Sequence, residues 1–458
     1  MSKLPHRAFL LAFVIPAVAI SQGPPSAPAA QLSPNAAYNE AMHPLVMTRS
    51  SIGNWSDTEI AALKVTMARA ATECTGRDPK TFAREDLVDL ARLCALGQAW
   101  PAVVDAAGRY VDAKDVPKPR LNEAYAALID AQLHDKDEPS AFAASKAVLA
   151  AVPYDALTAA VINEAIAYMQ FRHTADAITL ATARQPMLLG RLRSIGGPPG
   201  AEADIATPAV PSTDPPQTIH ELYADGLAFA ALQQLAKQPA DNAAATVADL
   251  DAALPTTLSP DDANPIAALR RRYALLGQPL PKLPLTRWPG AQPYLSMPGK
   301  VPQIPALHAI TALFLFPDWC AQCVRMGSQF PPTVFTVSGH EAFFYGLLAE
   351  TVPPNPPAKS AAPNPAFTAA EAANLLAETP TLAVDPAILD QFAVADPPFL
   401  ILTDAQGVIR VLQTATEDAI APGNTIDSAI ALIGARWPTV HPVPSKPAAP
   451  VPPAPAPR

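Results

Sequence analysis

Two cysteines three positions apart, in Cys320-Ala321-Gln322-Cys323, form the clearest chemical motif of this sequence. The neighbouring residues give the pair a setting. The apolar run Ala309–Phe316 (AITALFLF) reads as a buried strand, the turn Pro317-Asp318-Trp319 follows it, and Val324–Gln329 reads as a helical stretch. A thiol at a helix N-terminus faces unpaired backbone N–H groups and the positive end of the dipole, which favours thiolate. Cys320 is therefore the expected nucleophile, and Cys323, one turn further in, the thiol that resolves a mixed disulfide. The charge of Asp318 opposes this effect in part.

The motif alone leaves other readings open. A zinc site needs two more ligands at workable spacing. His308 and His340 are isolated and no second CxxC exists, so no metal is expected. A disulfide that serves only structure stays as the competing reading. Elsewhere, Ser50-Ser51, the scattered histidines and Asp261-Asp262 lack the spacing of a triad or metal site. They are expected to be caps and solvated surface.

The compartment follows from the first residues. Lys3, His6 and Arg7 precede the apolar run Ala8–Ile20, with small residues at Ala17, Ala19 and Ser21, the order of a secretory signal. That run is 13 residues long and is interrupted by Pro16, short of the ~20 needed to span a bilayer. Residues 1–21 are thus expected to be a signal peptide, without a stable membrane span, and the protein to be periplasmic or secreted. An oxidising compartment lets disulfides persist. Of the three pairings open to four cysteines, spacing favours Cys320 with Cys323 and Cys74 with Cys94. Cys74 and Cys94 fall on consecutive expected helices, which they either staple or line as buried thiols.

The chain of 458 residues is too long for one ordinary core, and half of it is apolar. Charged residues make up 16%, the net charge is −9, and no basic cluster offers a phosphate-binding surface, so nucleic acid is not an expected partner. The 55 prolines gather mainly at domain edges and in the tail. Residues 22–34 are expected to be a flexible leader, and 35–279 an α-helical region. The apolar periodicity marks helices at Asp57–Glu73, Glu85–Ala95, Pro101–Val111, Leu121–His134, Ser140–Ala151, Ala156–Phe171, Ala175–Ala183, Ile219–Ala236, Ala243–Ala253 and Ala263–Leu276. Second helices of successive pairs start near Trp100, Ser140 and Ala175, and this step resembles tetratricopeptide-type repeats. An irregular helical bundle is the alternative. The proline-punctuated residues 280–299 are expected to be a linker, 300–441 an α/β domain, and the Pro/Ala-rich residues 442–458 a disordered tail of polyproline character. Val352–Pro365 is expected to be an exposed insertion in the α/β domain.

Three passages of the α/β domain resemble the thioredoxin superfamily, and within it the extracytoplasmic thiol–disulfide oxidoreductases. Leu313–Cys323 (LFLFPDWCAQC) has that family's order of strand, turn and Trp-Cys-x-x-Cys. Pro380–Val394 (PTLAVDPAILDQFAV) resembles its strand, Asp385 turn and short helix. Pro398–Arg410 (PFLILTDAQGVIR) resembles the segment that begins at the cis-proline and continues as strand, Asp/Gly turn and strand. The resemblance implies a thioredoxin-like fold in which Pro398 is cis and packs beside the cysteines. It also implies that Trp319, Pro397 and Pro398 form the surface on which a substrate strand pairs. The chain departs from the pattern at Phe314, where many thioredoxins carry a buried acid, at Gln322, where proline is usual, and at Ser328, where the helix-kinking proline is missing. Proton transfer from Cys323 must then rely on water or another group. The expected activity is thiol–disulfide exchange without a cofactor, on protein thiols or disulfides, with the helical region binding a protein partner. The alternative is a non-catalytic helical scaffold carrying a structural thioredoxin-like domain.

Overall fold

The computed structural model describes residues 31–48, 57–114, 116–195, 217–287, 304–305, 308–317, 320, 323, 334–349, 381–394, 398–414 and 425–438. The expected signal peptide, Trp319, the stretch Val324–Gln329, the expected insertion Val352–Pro365, Pro397 and the expected C-terminal tail lie outside the described residues.

The first half is helical: α1 (Pro34–Thr48), α2 (Asp57–Thr75), α3 (Glu85–Leu96), α4 (Trp100–Asp112), α5 (Leu121–His134), α6 (Glu138–Ala151), α7 (Ala156–Met169), α8 (Thr174–Ile195), α9 (Ile219–Leu235), α10 (Ala240–Ala253) and α11 (Pro260–Ala274). Side-chain oxygens cap several of these helices where their first N–H groups lack partners. Asp137 accepts from the Ser140 N–H at 3.3 Å and Asp155 from that of Thr158 at 2.8 Å. Thr218 and Glu221 form a reciprocal capping box on α9. From α3 to α11 each helix packs against the next in line or the next but one, and small residues at the crossings (Ala106, Ala107, Ala124, Ala141) are fully buried. The Cys74–Cys94 disulfide joins α2 to α3 with an S–S distance of 2.01 Å. The helical region begins one residue earlier than expected, because Pro34 is already buried in α1.

The second half is a 7-stranded mixed sheet with helices: β1 (Leu285–Arg287), β2 (Ile310–Pro317), β3 (Val334–Val337), β4 (His340–Ala349), β5 (Thr381–Val384), α12 (Ala387–Gln391), β6 (Phe399–Thr403), β7 (Ile409–Thr414) and α13 (Thr425–Arg436). The strand order is β1-β5-β4-β2-β6-β7, with β3 folded back on the first half of β4. β2 pairs parallel with β4 on one side and antiparallel with β6 on the other. Such a central strand is covered on both faces, which explains its unbroken apolar run. Alternation sends Ala312, Phe314 and Phe316 to one face, with Phe344, Leu348, Leu400 and α13. Leu313 and Leu315 point to the other face, with Leu347, Leu382, Phe399, Ile401 and α12. The β6–β7 turn is built on Asp404, fully buried, whose carboxylate accepts from the N–H groups of Gln406 and Val408 and from Arg410.

The stretch from 280 is not only a linker. Gly277 and Gln278 exchange backbone hydrogen bonds with Ile409, and Leu280 donates to Gly407, so this chain runs along the outer edge of β7. Leu280 and Leu283 are then buried on the second face, and β1 pairs antiparallel with β5 at the opposite rim. Pro279 bridges Val408 beside one rim of the sheet, and only six residues later Leu285 pairs with Val384 beside the other. The segment 277–287 is thus a strap across one whole face of the sheet. Its apolar side chains, spaced by prolines, suit a PPII-like or extended crossing, and no local sequence signal announces the distant strand it pairs with.

The two halves share one apolar core, which runs from the helices to the α13 face of the sheet. Arg436 donates to the Leu235 carbonyl, Lys237 to that of Arg436, and Arg172 to the Ser428 hydroxyl at 3.1 Å.

Candidate active site

The cysteines sit where the central strand ends. The N–H of Cys320 donates to the Pro317 carbonyl at 3.3 Å, so the turn after β2 delivers the first sulfur directly from the strand. Cys320 and Cys323 are joined, with S–S 1.97 Å and Cα–Cα 5.2 Å, and the Cys323 N–H donates to the Cys320 sulfur at 3.2 Å. Cys320 keeps 8% of its surface exposed and Cys323 none. Cys320 is therefore the less enclosed of the two, and its sulfur has a donor already aimed at it.

Behind the pair the surroundings are apolar. Both cysteines belong to the buried cluster that contains Phe314, Phe316, Phe344 and Leu400. Phe314 is fully buried, its ring centroid 5.2 Å from that of Phe316. An apolar shell of this kind disfavours charge on the inner sulfur.

Pro398 reaches the same end of the sheet from another strand. It is half-buried immediately before Phe399, and Phe399 is paired with Leu315, two residues from the end of β2. Because β6 runs antiparallel to β2, its start meets the end that carries the cysteines. Asp385 arrives there at the end of β5, where its carboxylate accepts from the Ala387 N–H at 2.9 Å and caps α12. The Pro397–Pro398 bond and Trp319 lie outside the described residues.

The remaining cysteines and histidines stand apart. Cys74 and Cys94 tie α2 to α3 in the helical half. His308 precedes β2 and His340 begins the parallel β4, both at the sheet end opposite the cysteines, ~20 Å away along strands of this length. His340 packs on α13 at Gly434, where a Cβ would come within 2.3 Å of its ring. Among the described residues, no group of three or more His, Cys, Asp or Glu could hold a metal ion. No described helix is long and apolar enough to cross a membrane.

One polar constellation escaped the sequence reading. Asp262, expected to be solvated, retains 15% side-chain exposure, with Oδ1 2.9 Å from Nδ1 of His220 and Oδ2 2.9 Å from the Ser259 hydroxyl. His220 Nε2 lies 3.3 Å from the Thr218 hydroxyl. That hydroxyl already caps α9, so the chain of groups ties the starts of α9 and α11 together. The partners are 42 residues apart in sequence, a separation no local pattern reveals.

No protein-family profile, curated protein or solved structure matches this chain.

Proposed function

We propose that the protein is an exported thiol–disulfide oxidoreductase that acts on protein substrates through Cys320 and Cys323. The observation that carries this reading is the asymmetry of the pair: Cys320, the less enclosed of the two, receives the Cys323 N–H on its sulfur at the end of the central strand. In the reduced protein Cys320 attacks a substrate disulfide and expels one substrate thiolate. Cys323 then attacks the mixed disulfide, which releases the second thiolate and leaves Cys320–Cys323 oxidised. Two electrons pass to the substrate. The reverse sequence oxidises a substrate dithiol, and the reduction potential of the pair sets the direction.

The layout of the α/β half fits a thioredoxin-like architecture, which supports the same reading. The passages that carry the resemblance fall on β2 and its cysteines, on β5 with α12, and on β6, the Asp404 turn and β7, in the implied order. Successive helix contacts in the first half fit a tetratricopeptide-like array that recruits a protein partner. The pairing of all four cysteines fits an extracytoplasmic location.

Phe314 favours a second reading, in which the disulfide only braces a scaffold, because a buried apolar ring stands at the position where the resemblance implies an acid. Reduction of insulin by the full-length protein, beside a Cys320→Ser variant, separates the two. Turnover lost in the variant supports exchange, and equal turnover, or none in either, supports the scaffold. A potential near about −270 mV would mark a reductant and one near about −120 mV an oxidant.

A further inference from the structure

We infer that Arg272, in the last turn of α11, is a positioning residue for the substrate side of the redox site. The inference rests on the proposed exchange reaction. Arg272 Nε donates to the Phe392 carbonyl at 3.4 Å, and Nη2 donates to the next carbonyl, that of Ala393. Its guanidinium carbon lies 4.8 Å from the centre of the Phe399 ring. One side chain from the helical half therefore holds the sheet domain at two points, just after α12 and at the first residue of β6.

These two points flank the chain that leads to Pro398. Phe392 and Phe399 are both fully buried on the same face of the sheet, so neither can shift without opening the core. Phe399 is paired with Leu315 of β2, the strand that delivers Cys320. A displaced Phe399 moves Pro398, its direct neighbour, relative to the cysteine sulfur. The guanidinium suits this task for a physical reason. Its plane offers donors in a fixed fork to two successive carbonyls while its face stacks on an aromatic ring. A lysine at 272 would keep the charge and lose both the fork and the stack.

The role is one of position, because Arg272 touches neither sulfur. A protein substrate needs its backbone aligned beside Pro398 before exchange, whereas a small disulfide needs only the Cys320 sulfur. Arg272→Lys and Arg272→Met should therefore raise KM for insulin between about tenfold and a hundredfold. The rate of the reduced protein with oxidised glutathione should stay within about twofold of wild type, a ratio worth only ~0.4 kcal/mol. Phe399→Leu, which stays apolar at a small loss of volume and removes the ring face, should repeat the pattern without altering the helical half. It provides the measurement if the Arg272 variants do not fold. An unchanged insulin KM across the variants overturns the positioning role and leaves the exchange reading intact. Equal losses with both substrates overturn it too, since a general loosening of the fold would act on both. A wild-type protein without exchange activity overturns the reaction, and this role with it.

Discussion

The backbone N–H of Cys323 is aimed at the sulfur of Cys320, 3.2 Å away, while the N–H of Cys320 is engaged by the Pro317 carbonyl. The two sulfurs are thus unequal before any substrate arrives. In the reduced protein the N–H can stabilise negative charge on Cys320, and the apolar shell disfavours it on Cys323. Iodoacetamide should modify Cys320 roughly tenfold faster than Cys323 at neutral pH. Peptide mapping of the alkylated cysteines reads the ratio, and equal labelling would sink the assignment of nucleophile.

Phe314 fills the position where many thioredoxins carry an acid, and it lies within the buried apolar cluster. Phe314→Asp should cost about 3–5 kcal/mol, from the lost ring and the buried carboxyl together. Desolvation raises a carboxyl's pKa in the folded state above its unfolded value of ~3.9. The deficit should therefore be smaller at about pH 4 and grow as pH rises toward the folded pKa. Urea unfolding at several pH values tests this, and a deficit independent of pH would contradict it.

The Cys74–Cys94 bridge closes a separation of 20 residues between two packed helices. Chain-entropy arguments value such a loop at about 3 kcal/mol. The double variant Cys74→Ala/Cys94→Ala should lose about that much stability and keep its exchange activity. A change below about 1 kcal/mol would mean that α2 and α3 hold together without it.

Burial alone would raise the Asp262 carboxyl, but hydrogen bonds from His220 and Ser259 outweigh it and hold the group below its ordinary 3.8. A depressed folded pKa means stabilisation that is complete above the unfolded value and is lost as pH falls through the folded one. Asp262→Asn should therefore cost about 1 kcal/mol at pH 7, the size of one hydrogen bond's net contribution, and progressively less below pH 3.8. Thermal melts of the two proteins across that range should converge toward acid. Parallel curves would show that the charge is not what ties α9 to α11.

Elements with strong local periodicity were legible in advance. The helices α3, α5 and α9 and the strands β2 and β6 agree with their expected ranges to within two residues. The failures have identifiable causes. α8 was expected to stop near Ala183, yet it runs through Pro186 to Ile195, because Leu188, Leu189 and Leu192 are buried against neighbouring helices. That packing overrides the proline's local preference. β3 and β4 were missed, although Ser338-Gly339 between them is a short hairpin signal, with φ of 51° and 82°. At the candidate site, the sequence already marked the two cysteines and Pro398 as candidates, whereas nothing in it marked Arg272. Its partners lie 120 and 121 residues away, and an arginine near a helix C-terminus ordinarily needs no other explanation than the dipole.

The strap 277–287 has a consequence for the order in which the molecule is made. It leaves the ribosome after α11 and before any other strand of the sheet, so it is already fastened to a helical body when β2 appears. β5 and β7, the strands that the two ends of the strap pair with, are both synthesised after it, and each finds its covering chain waiting. Open strand edges are where nascent chains stick to one another. Here the cover for both strands precedes the strands themselves, and the interval in which their outer sides stand open is shortened by the same eleven residues of chain.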